Sequence, residues 1–392
     1  MGLSQPSRTS LFNPGGAKIG HPYALFRRLA VWTYHFAVTI PAQPRPSPSV
    51  DRPRPDRVLL PIAARRHRFV AEVQRQLRTR CGVELGARVI IGVSGGPDSV
   101  ALLGACHVLS HRRPQGQVVL QPTVVHVNHH LRTAAQDDAA YVADLCDRLG
   151  LEHHAKDIYP AQEPGNVAAN ARRLRYAALA EVARTVQAPY VAVAHHGDDQ
   201  LETMLIALCR GAGQDGLSGM AWRRSLDGDL TLVRPLLGLR KVNCEAYCQM
   251  AELTFRHDPT NDDATQVRGR LRRDVLPVLE ELWPQVGRRA TGAADALAMA
   301  RDALEAQLER AFGPSTTRAW DRAALAVLPL PVIAAGLRRA ALCAAPDIAD
   351  TLGQDSLSQA AEAISADDRS PKRFHWPGEL VLTVTSKRVE LG

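Results

Sequence analysis

The sequence predicts an α/β protein with a parallel sheet and a smaller C-terminal α+β domain. Apolar, β-branched runs alternate with amphipathic helical stretches through residues 59–285, as in strands joined by crossover helices. Polar clusters follow the ends of these runs, where ligands collect at the carboxyl edge of a parallel sheet. After residue 286, two helical stretches precede an alternating tail, which predicts the second domain.

The predicted elements follow in chain order. Helix 63–81 and strand 89–93 come first, then strand 122–128, helix 136–149, strand 153–158, helix 166–186, strand 190–194 and helix 198–209. The second domain, 286–392, starts with a helical linker and has helices 290–312 and 331–345 and a hairpin within 373–391. Residues 1–58 are basic and rich in proline, so we expect a disordered extension, a segment upstream of the true start codon, or a transit peptide.

The composition narrows the function classes. The net charge is +8 and arginine greatly outnumbers lysine, which suits bidentate phosphate contacts and indicates a nucleic-acid partner, although an arginine-rich genome gives the same bias. No run approaches the roughly 18 apolar residues of a membrane-spanning helix, so we expect no membrane partner. The 7 cysteines are scattered without a Cys-x-x-Cys pair, which favours reduced thiols in the cytoplasm over disulfides, zinc or an iron–sulfur cluster.

A glycine-rich turn, Ser94-Gly95-Gly96-Pro97-Asp98-Ser99, follows the first predicted strand. The two glycines let the backbone turn tightly and expose its N–H groups, and the next helix adds the partial positive charge of its N-terminus. Both features suit a bound phosphate group. No lysine stands where a Walker loop requires one, so the sequence indicates a different phosphate-binding loop.

Further polar segments lie near the ends of the predicted strands. They are His126-Val127-Asn128, the helical pair Arg172 and Arg175, His195 with the acidic pair Asp199 and Glu202, and a glycine-rich stretch that begins at Arg210-Gly211. A spacing of three residues puts each pair on one helix face. Judged alone, Asp98 could cap a helix, the acidic pair could be solvated, His195 could be structural, and the arginines could pair with core acids.

Together, and in this order, these motifs resemble the tRNA(Ile)-lysidine synthases, a family of PP-loop ATP pyrophosphatases. The resemblance extends over residues 89–277 and includes Arg234-Pro235-Leu236-Leu237, Asp258-Pro259-Thr260-Asn261 and Arg268-Gly269-Arg270. It implies a Rossmann-like PP-loop catalytic domain over 59–285 and a tRNA- or substrate-binding domain over 286–392. Gly269 departs from the family pattern, in which asparagine follows the arginine.

The resemblance implies an ATP-dependent carbon–nitrogen ligase. Oxygen 2 of the wobble cytidine, in the isoleucine tRNA with a CAU anticodon, would attack the α-phosphate of ATP and release pyrophosphate. The ε-amine of free L-lysine would then displace AMP. Mg²⁺ is the implied metal, the cytoplasm is the expected location, and assembly as a homodimer is left open.

The resemblance also implies the roles of single residues. The loop residues Ser94, Gly95, Gly96, Pro97, Asp98 and Ser99 would hold the ATP phosphates, and His126, Arg175, Arg210 and Gly211 would complete the ATP site. Asp98 would also lie next to Mg²⁺. Asp199 and Glu202 would bind the lysine amine and help to deprotonate it. His195 and Arg172 would complete the catalytic set, and Asn128 would shape the adenine pocket with His126.

The alternatives fit the residues less well. A PP-loop tRNA thiolase, the second choice, would need a persulfide-bearing cysteine or an iron–sulfur cluster, and no Cys-x-x-Cys pair is present. A small-molecule amidotransferase would need an ammonia source, and the sequence has no second catalytic region. A binding module without catalysis would be expected to lose the glycine loop or the acidic pair, and both are intact.

Overall fold

The computed structural model describes residues 60–130, 135–256, 266–348 and 351–392. These residues lie within one compact unit and contain two β-sheets. The expected extension over 1–58 and the segment 258–261 fall outside the described residues. Within them, no helix is both long enough and apolar enough to cross a membrane.

The first sheet has six strands in the order β3-β2-β1-β4-β6-β5. The strands are β1 (Ala87–Gly92), β2 (Leu120–Asn128), β3 (His153–Asp157), β4 (Tyr190–Ala192), β5 (Arg223–Asp227) and β6 (Leu230–Val233). Neighbours pair in parallel except β5, which runs antiparallel to β6 at one edge. The predicted parallel sheet is confirmed. The β5–β6 hairpin was not predicted, because β5 is largely exposed and polar.

Helices cover both faces of this sheet. The helices of this part of the chain are α1 (Ile62–Arg66), α2 (Arg68–Thr79), α3 (Pro97–His111), α4 (Ala135–Leu149), α5 (Val167–Thr185), α6 (Gly197–Cys209), α7 (Gln214–Leu217) and α8 (Lys241–Met250). The single helix predicted over 63–81 is wrong: the chain is extended at His67, which ends α1 and caps α2. Its Nδ1 accepts a hydrogen bond from the Phe69 N–H at 3.2 Å.

Alternation along β1 separates two hydrophobic cores. Val89 and Ile91 pack on the side of α2, α3 and α8, whereas Ile90 packs with α5 on the opposite side. Successive side chains of a strand point to opposite faces of the sheet. Three consecutive apolar residues, Val89 to Ile91, therefore suit a strand that is covered on both faces. The loop after β1 therefore leads into a helix on one face, while α5 lies on the other.

A helical segment connects the first sheet to the second. It contains α9 (Val267–Arg270), a π-helical turn (Leu271–Val275), α10 (Leu276–Leu282) and α11 (Val286–Phe312). The remaining elements are β7 (Ala319–Asp321), α12 (Arg322–Ala326), α13 (Leu330–Ala344), α14 (Gln354–Ser365), β8 (Lys372–His375), β9 (Val381–Val384) and β10 (Arg388–Leu391). The four strands form an antiparallel sheet in the order β7-β10-β9-β8, with a core of its own. The predicted α+β character and the β8–β9 hairpin are confirmed, and the boundary at residue 286 stays a prediction.

Candidate active site

A cavity of about 890 Å³ lies at the carboxyl edge of the parallel sheet. Its walls come from the ends of β1, β2 and β4, from α3, α5 and α6, and from the segment between α9 and α10. Crossover connections bring the carboxyl ends of parallel strands to one edge, so segments far apart in the sequence meet there. The glycine loop and the acidic pair both line this cavity.

The glycine loop is closed by its last serine. The Ser99 hydroxyl donates to the Gly96 carbonyl at 2.9 Å and accepts from the Ser94 N–H at 3.2 Å. Gly95 has a φ of +92°, which a glycine adopts without strain. Gly96 is the N-cap of α3 and has no side chain that could accept a hydrogen bond from the first N–H groups of this helix. A helix N-terminus without a side-chain cap, beside a tight turn, suits an anion.

Two residues outside the predicted set brace this loop. The Arg256 N–H donates to the Gly95 carbonyl at 2.9 Å. The Arg256 Nε donates to Asp138 of α4 at 3.0 Å. Sequence reasoning missed both residues, because only the folded chain brings the segment after α8 against the loop after β1.

Asp98 is the second residue of α3, so the alternative that it caps this helix is wrong. Its Oδ1 atom is buried and has no hydrogen-bond partner within the described ranges. Its Oδ2 atom lies 3.6 Å from Nε2 of His196. One oxygen of Asp98 is thus left for a ligand beside the glycine loop.

The acidic pair is buried, so the alternative of a solvated helix start is wrong. Asp199 and Glu202 are 8% and 1% exposed. Arg272 donates from Nε to Glu202 at 2.5 Å and from Nη2 to Asp199 at 3.0 Å. Burial raises the pKa of Glu202 despite Arg272. Burial also opposes the charge of Asp199, but His196 and Arg272 outweigh it and lower its pKa.

His196 joins Asp98 to the acidic pair. Its Nε2 lies 3.6 Å from Oδ2 of both Asp98 and Asp199. Burial opposes its charge, but Asp199 and Asp98, with Asp198, raise its pKa to about 9. The His196 N–H donates to Asp199 at 3.0 Å in a capping box of α6. The sequence signal for this role is the acid three residues after the cap, and our reading of the sequence missed it.

His195, the neighbour of His196, has the opposite electrostatics. Burial lowers its pKa to about 3, with Asp199 opposing and with Arg234 and Arg175 adding to the decrease. His195 lines the cavity, and the lowered pKa favours its neutral imidazole form. It lies between the buried acid and a group of arginines.

The remaining predicted residues divide between the cavity and the surface. Arg172 and Arg175 line the cavity, and neither pairs with an acid within the described ranges, so the alternative of a pairing with core acids is wrong. His126 and Asn128 also line it, and the His126 Nδ1–H donates to the Val93 carbonyl at 2.9 Å. These contacts hold the end of β2 against the loop after β1.

The structure does not bring Arg210 and Gly211 to this site. Arg210 is the C-cap of α6, and Gly211 follows it; both are exposed. The acidic pair is in the first turns of the same helix, which is roughly 20 Å long at 1.5 Å per residue. This corrects the prediction that these two residues bind ATP. The glycine-rich stretch follows the C-terminal end of α6, whereas the cavity lies at the N-terminal end, and glycine content alone does not reveal that difference.

A family model described as a PP-loop domain matches residues 66–279 of this chain. A tRNA(Ile)-lysidine synthase of Bacillus cereus is 38% identical over 223 residues, which is 56% of this chain and 46% of that protein. A tRNA(Ile)-lysidine synthase of Symbiobacterium thermophilum is 41% identical over 203 residues, 51% of this chain and 41% of that protein. The chain thus spans about half the length of the curated relatives it matches.

Among solved structures, a U34-tRNA thiolase from Methanococcus maripaludis is similar over 58% of this chain and 78% of its own, with 17% identity and a TM-score of 0.47. That likeness is too low to bear on function.

Proposed function

Since this chain belongs to the PP-loop domain family, we propose that its cavity binds ATP with the phosphates at residues 94–99. The closed loop, the positive φ of Gly95 and the N-terminus of α3 support this placement. His126 and Asn128 would shape the pocket for the adenine ring. Arg172 and Arg175 would supply positive charge to the other side of the cavity.

The proposed activity is that of a tRNA(Ile)-lysidine synthase. One observation carries it: a buried acidic pair, suited to an ammonium group, shares a cavity with the glycine loop. His196 lies between Asp98 of the loop and Asp199 of the pair. The arrangement suits a reaction that activates one substrate with ATP and then attacks it with an amine.

Different residues of the cavity would act in each of the two steps of this reaction. In the first step, oxygen 2 of the cytosine forms a bond to the α-phosphorus, and the bond to pyrophosphate breaks while the loop N–H groups hold the leaving charge. In the second step, the lysine nitrogen bonds to carbon 2, AMP leaves with the bonding electrons, and Asp199 and Glu202 take up the ammonium proton. Arg272 forms ion pairs with both carboxylates here, so some of its contacts with Asp199 and Glu202 must break when the amine binds.

The residues present fit a Mg²⁺ ion that is shared with ATP. Within the described ranges, no group of three or more His, Cys, Asp or Glu side chains is arranged to hold a metal alone. Mg²⁺ commonly takes one or two carboxylates and completes its shell with substrate phosphates and water. The unpartnered, buried Oδ1 of Asp98 suits this role. The ion would neutralise charge on the departing pyrophosphate.

The rest of the proposal concerns the protein as a whole. The substrates would be ATP, free L-lysine and the isoleucine tRNA with a CAU anticodon, and the reaction would take place in the cytoplasm. The domain over 59–285 would carry the chemistry, and the domain over 286–392 would help to hold the tRNA. A homodimer is compatible with this proposal.

The deciding experiment is the transfer of labelled lysine to an unmodified transcript of that tRNA, with ATP and Mg²⁺. A transcript with the wobble cytidine replaced is the matched control. Incorporation that needs both ATP and the cytidine supports the proposal. If tRNA triggers pyrophosphate release without lysine incorporation, the nucleophile is different, and another PP-loop tRNA-modifying enzyme, of the thiolase type, becomes the better description.

A further inference from the structure

Four arginines gather around Tyr176 of α5. The guanidinium carbons of Arg172, Arg175 and Arg224 lie 5.2, 5.6 and 5.2 Å from the centre of its ring. Arg234, just after β6, is 2% exposed and close enough for Tyr176, Arg224 and Arg172 to influence its charge. We call these four residues the arginine cluster. Two of its members belong to α5, Arg224 belongs to the unpredicted strand β5, and Arg234 follows β6.

The arginine cluster has no counter-charge within the described ranges. None of its members forms an ion pair with a carboxylate there, whereas Arg240, Arg256 and Arg272, which line the cavity, each do. Burial lowers the pKa of Arg234, with Tyr176 opposing and Arg224 adding to the decrease. A buried guanidinium without an acid partner costs folding free energy unless an anion compensates for it.

The hydrogen bonding of Arg234 also leaves donor capacity. Its Nη1 donates to the Ala221 carbonyl at 2.6 Å, but its buried Nε has no partner within the described ranges. Arg322 of the second core makes a useful contrast. It also pairs with no acid among the described residues, yet it donates to five backbone carbonyls. The Arg322 guanidinium therefore has a structural role, because backbone carbonyls accept its hydrogen bonds. In the part of the chain that the structure describes, the guanidinium of Arg234 in the arginine cluster has only one such bond.

The arginine cluster lies apart from the glycine loop. The loop leads into α3 on one face of the sheet, while α5 packs on the other face. Arg172 and Arg175 line the cavity, so the cluster opens onto the reaction site. Arg172, Arg175 and Arg224 are exposed, so a large ligand can reach them.

We propose that the arginine cluster is a second anion subsite, which takes a phosphodiester group of the RNA beside the nucleotide being modified. The identity of the RNA rests on the proposed function. Guanidinium groups bind phosphate oxygens through paired, charge-assisted hydrogen bonds. ATP already has a cradle at residues 94–99, whereas a base that must reach the α-phosphate needs its own backbone held nearby. The arginine cluster would bind that RNA backbone without distinguishing the sequence of bases.

The test compares Arg224→Ala with Arg223→Ala. Both residues are exposed and adjacent on β5, but the Arg223 guanidinium lies against Gly82 rather than Tyr176. The probe is a fluorescently labelled RNA stem-loop with a CAU loop, titrated at several salt concentrations. For Arg224→Ala we expect about tenfold weaker RNA binding and a shallower salt dependence, by about 0.7 for each phosphate that the variant no longer neutralises. Arg223→Ala and the ATP affinity of both variants should stay within about twofold of wild type.

Other results would overturn this subsite. Weakened binding of ATP, with RNA binding unchanged, would assign the cluster to nucleotide phosphates. Weakened binding of lysine alone would assign it to the amino acid carboxylate. No change in any affinity would make the cluster structural. The proposed function fails separately, because a wild-type protein that binds the stem-loop but transfers no lysine overturns the activity and leaves the subsite standing.

Discussion

Arg272 holds Glu202 through two parallel hydrogen bonds. Its Nε donates to Oε1 at 2.5 Å and its Nη2 donates to Oε2 at 3.1 Å. Glu202 is 1% exposed, and within the described ranges Arg272 alone donates to its side chain. Arg272 belongs to a π-helical turn, a feature frequent at functional sites. A segment outside the parallel sheet therefore completes the electrostatics of the acidic pair.

Removing this guanidinium should destabilise the protein in a pH-dependent way. Arg272→Ala leaves Glu202 buried without a partner, so we expect a loss of about 2 kcal/mol in the free energy of unfolding at pH 8. Burial already raises the pKa of Glu202, and this change raises it further. A raised carboxyl pKa destabilises the fold at high pH. That penalty is complete above the folded-state pKa and is lost as the pH falls through it to the lower pKa of the unfolded chain.

Urea unfolding at several pH values measures this effect. The control is Arg273→Ala, because Arg273 is half exposed and pairs only with its neighbour Asp274 among the described residues. It should leave the free energy of unfolding nearly unchanged. Equal losses in the two variants would show that the contact with Glu202 is not the cause.

Asp199→Asn tests whether the proposed lysine half of the site is separate from the proposed ATP half. The amide oxygen can still accept from the His196 N–H, so the cap of α6 survives. We expect lysine transfer to fall at least about 100-fold, because the ammonium group loses a charged partner and proton acceptor. ATP affinity, measured by equilibrium binding, should change little. Asp199→Ala should show the same loss of transfer and cost about 1 kcal/mol more, because the cap is removed as well.

A result in which Asp199→Asn loses ATP binding would contradict this division. It would place Asp199 in the nucleotide half of the cavity, next to Asp98.

Gly95 and Gly96 should respond differently to the same substitution. A Cβ on Gly95 would lie 3.6 Å from the nearest atom, so there is space for an alanine side chain. The obstacle is the φ of +92°, which an alanine adopts only with strain. We expect Gly95→Ala to lower the free energy of unfolding by about 1–2 kcal/mol. Gly96 has a φ of −75° and a nearest neighbouring atom at 3.7 Å, so Gly96→Ala should cost little. Urea unfolding of both variants tests this; similar losses would refute the role of φ.

His107 should make stability depend on pH. It is 4% exposed in α3, and burial lowers its pKa to about 4, with His111 adding to the decrease. Below pH 6.5 the unfolded chain gains a proton that the folded chain does not take up until about pH 4, so stability falls over this range. We expect His107 to account for about 2 kcal/mol of loss between pH 7.5 and pH 5.

The comparison of three proteins isolates this contribution. His107→Leu should lose that part of the pH dependence in urea unfolding, while His375→Gln, at an exposed histidine, should keep it. A wild-type curve that is flat between pH 7.5 and pH 5 would contradict the prediction.

Local patterns predicted most of the first sheet and its helices. The β-branched run at Val89 to Ile91 and the glycines after it indicate a strand and a turn without reference to any other part of the chain. His67 shows the limit of such patterns, because one extended residue divides a continuous helical pattern into α1 and α2. The β5–β6 hairpin shows another limit: β5 is a polar edge strand with little of the periodicity that marks a buried one.

The sequence by itself determined the class of fold, the glycine loop and the acidic pair, because each depends on residues that are neighbours in the chain. The tertiary structure alone decided which charges meet. It brought Arg272 onto Asp199 and Glu202, set His196 rather than His195 between two acids, and left Arg210 at the far end of α6. The reason is physical: a pairing over seventy or more residues depends on how the helices and strands pack, and no local pattern in the sequence encodes that packing.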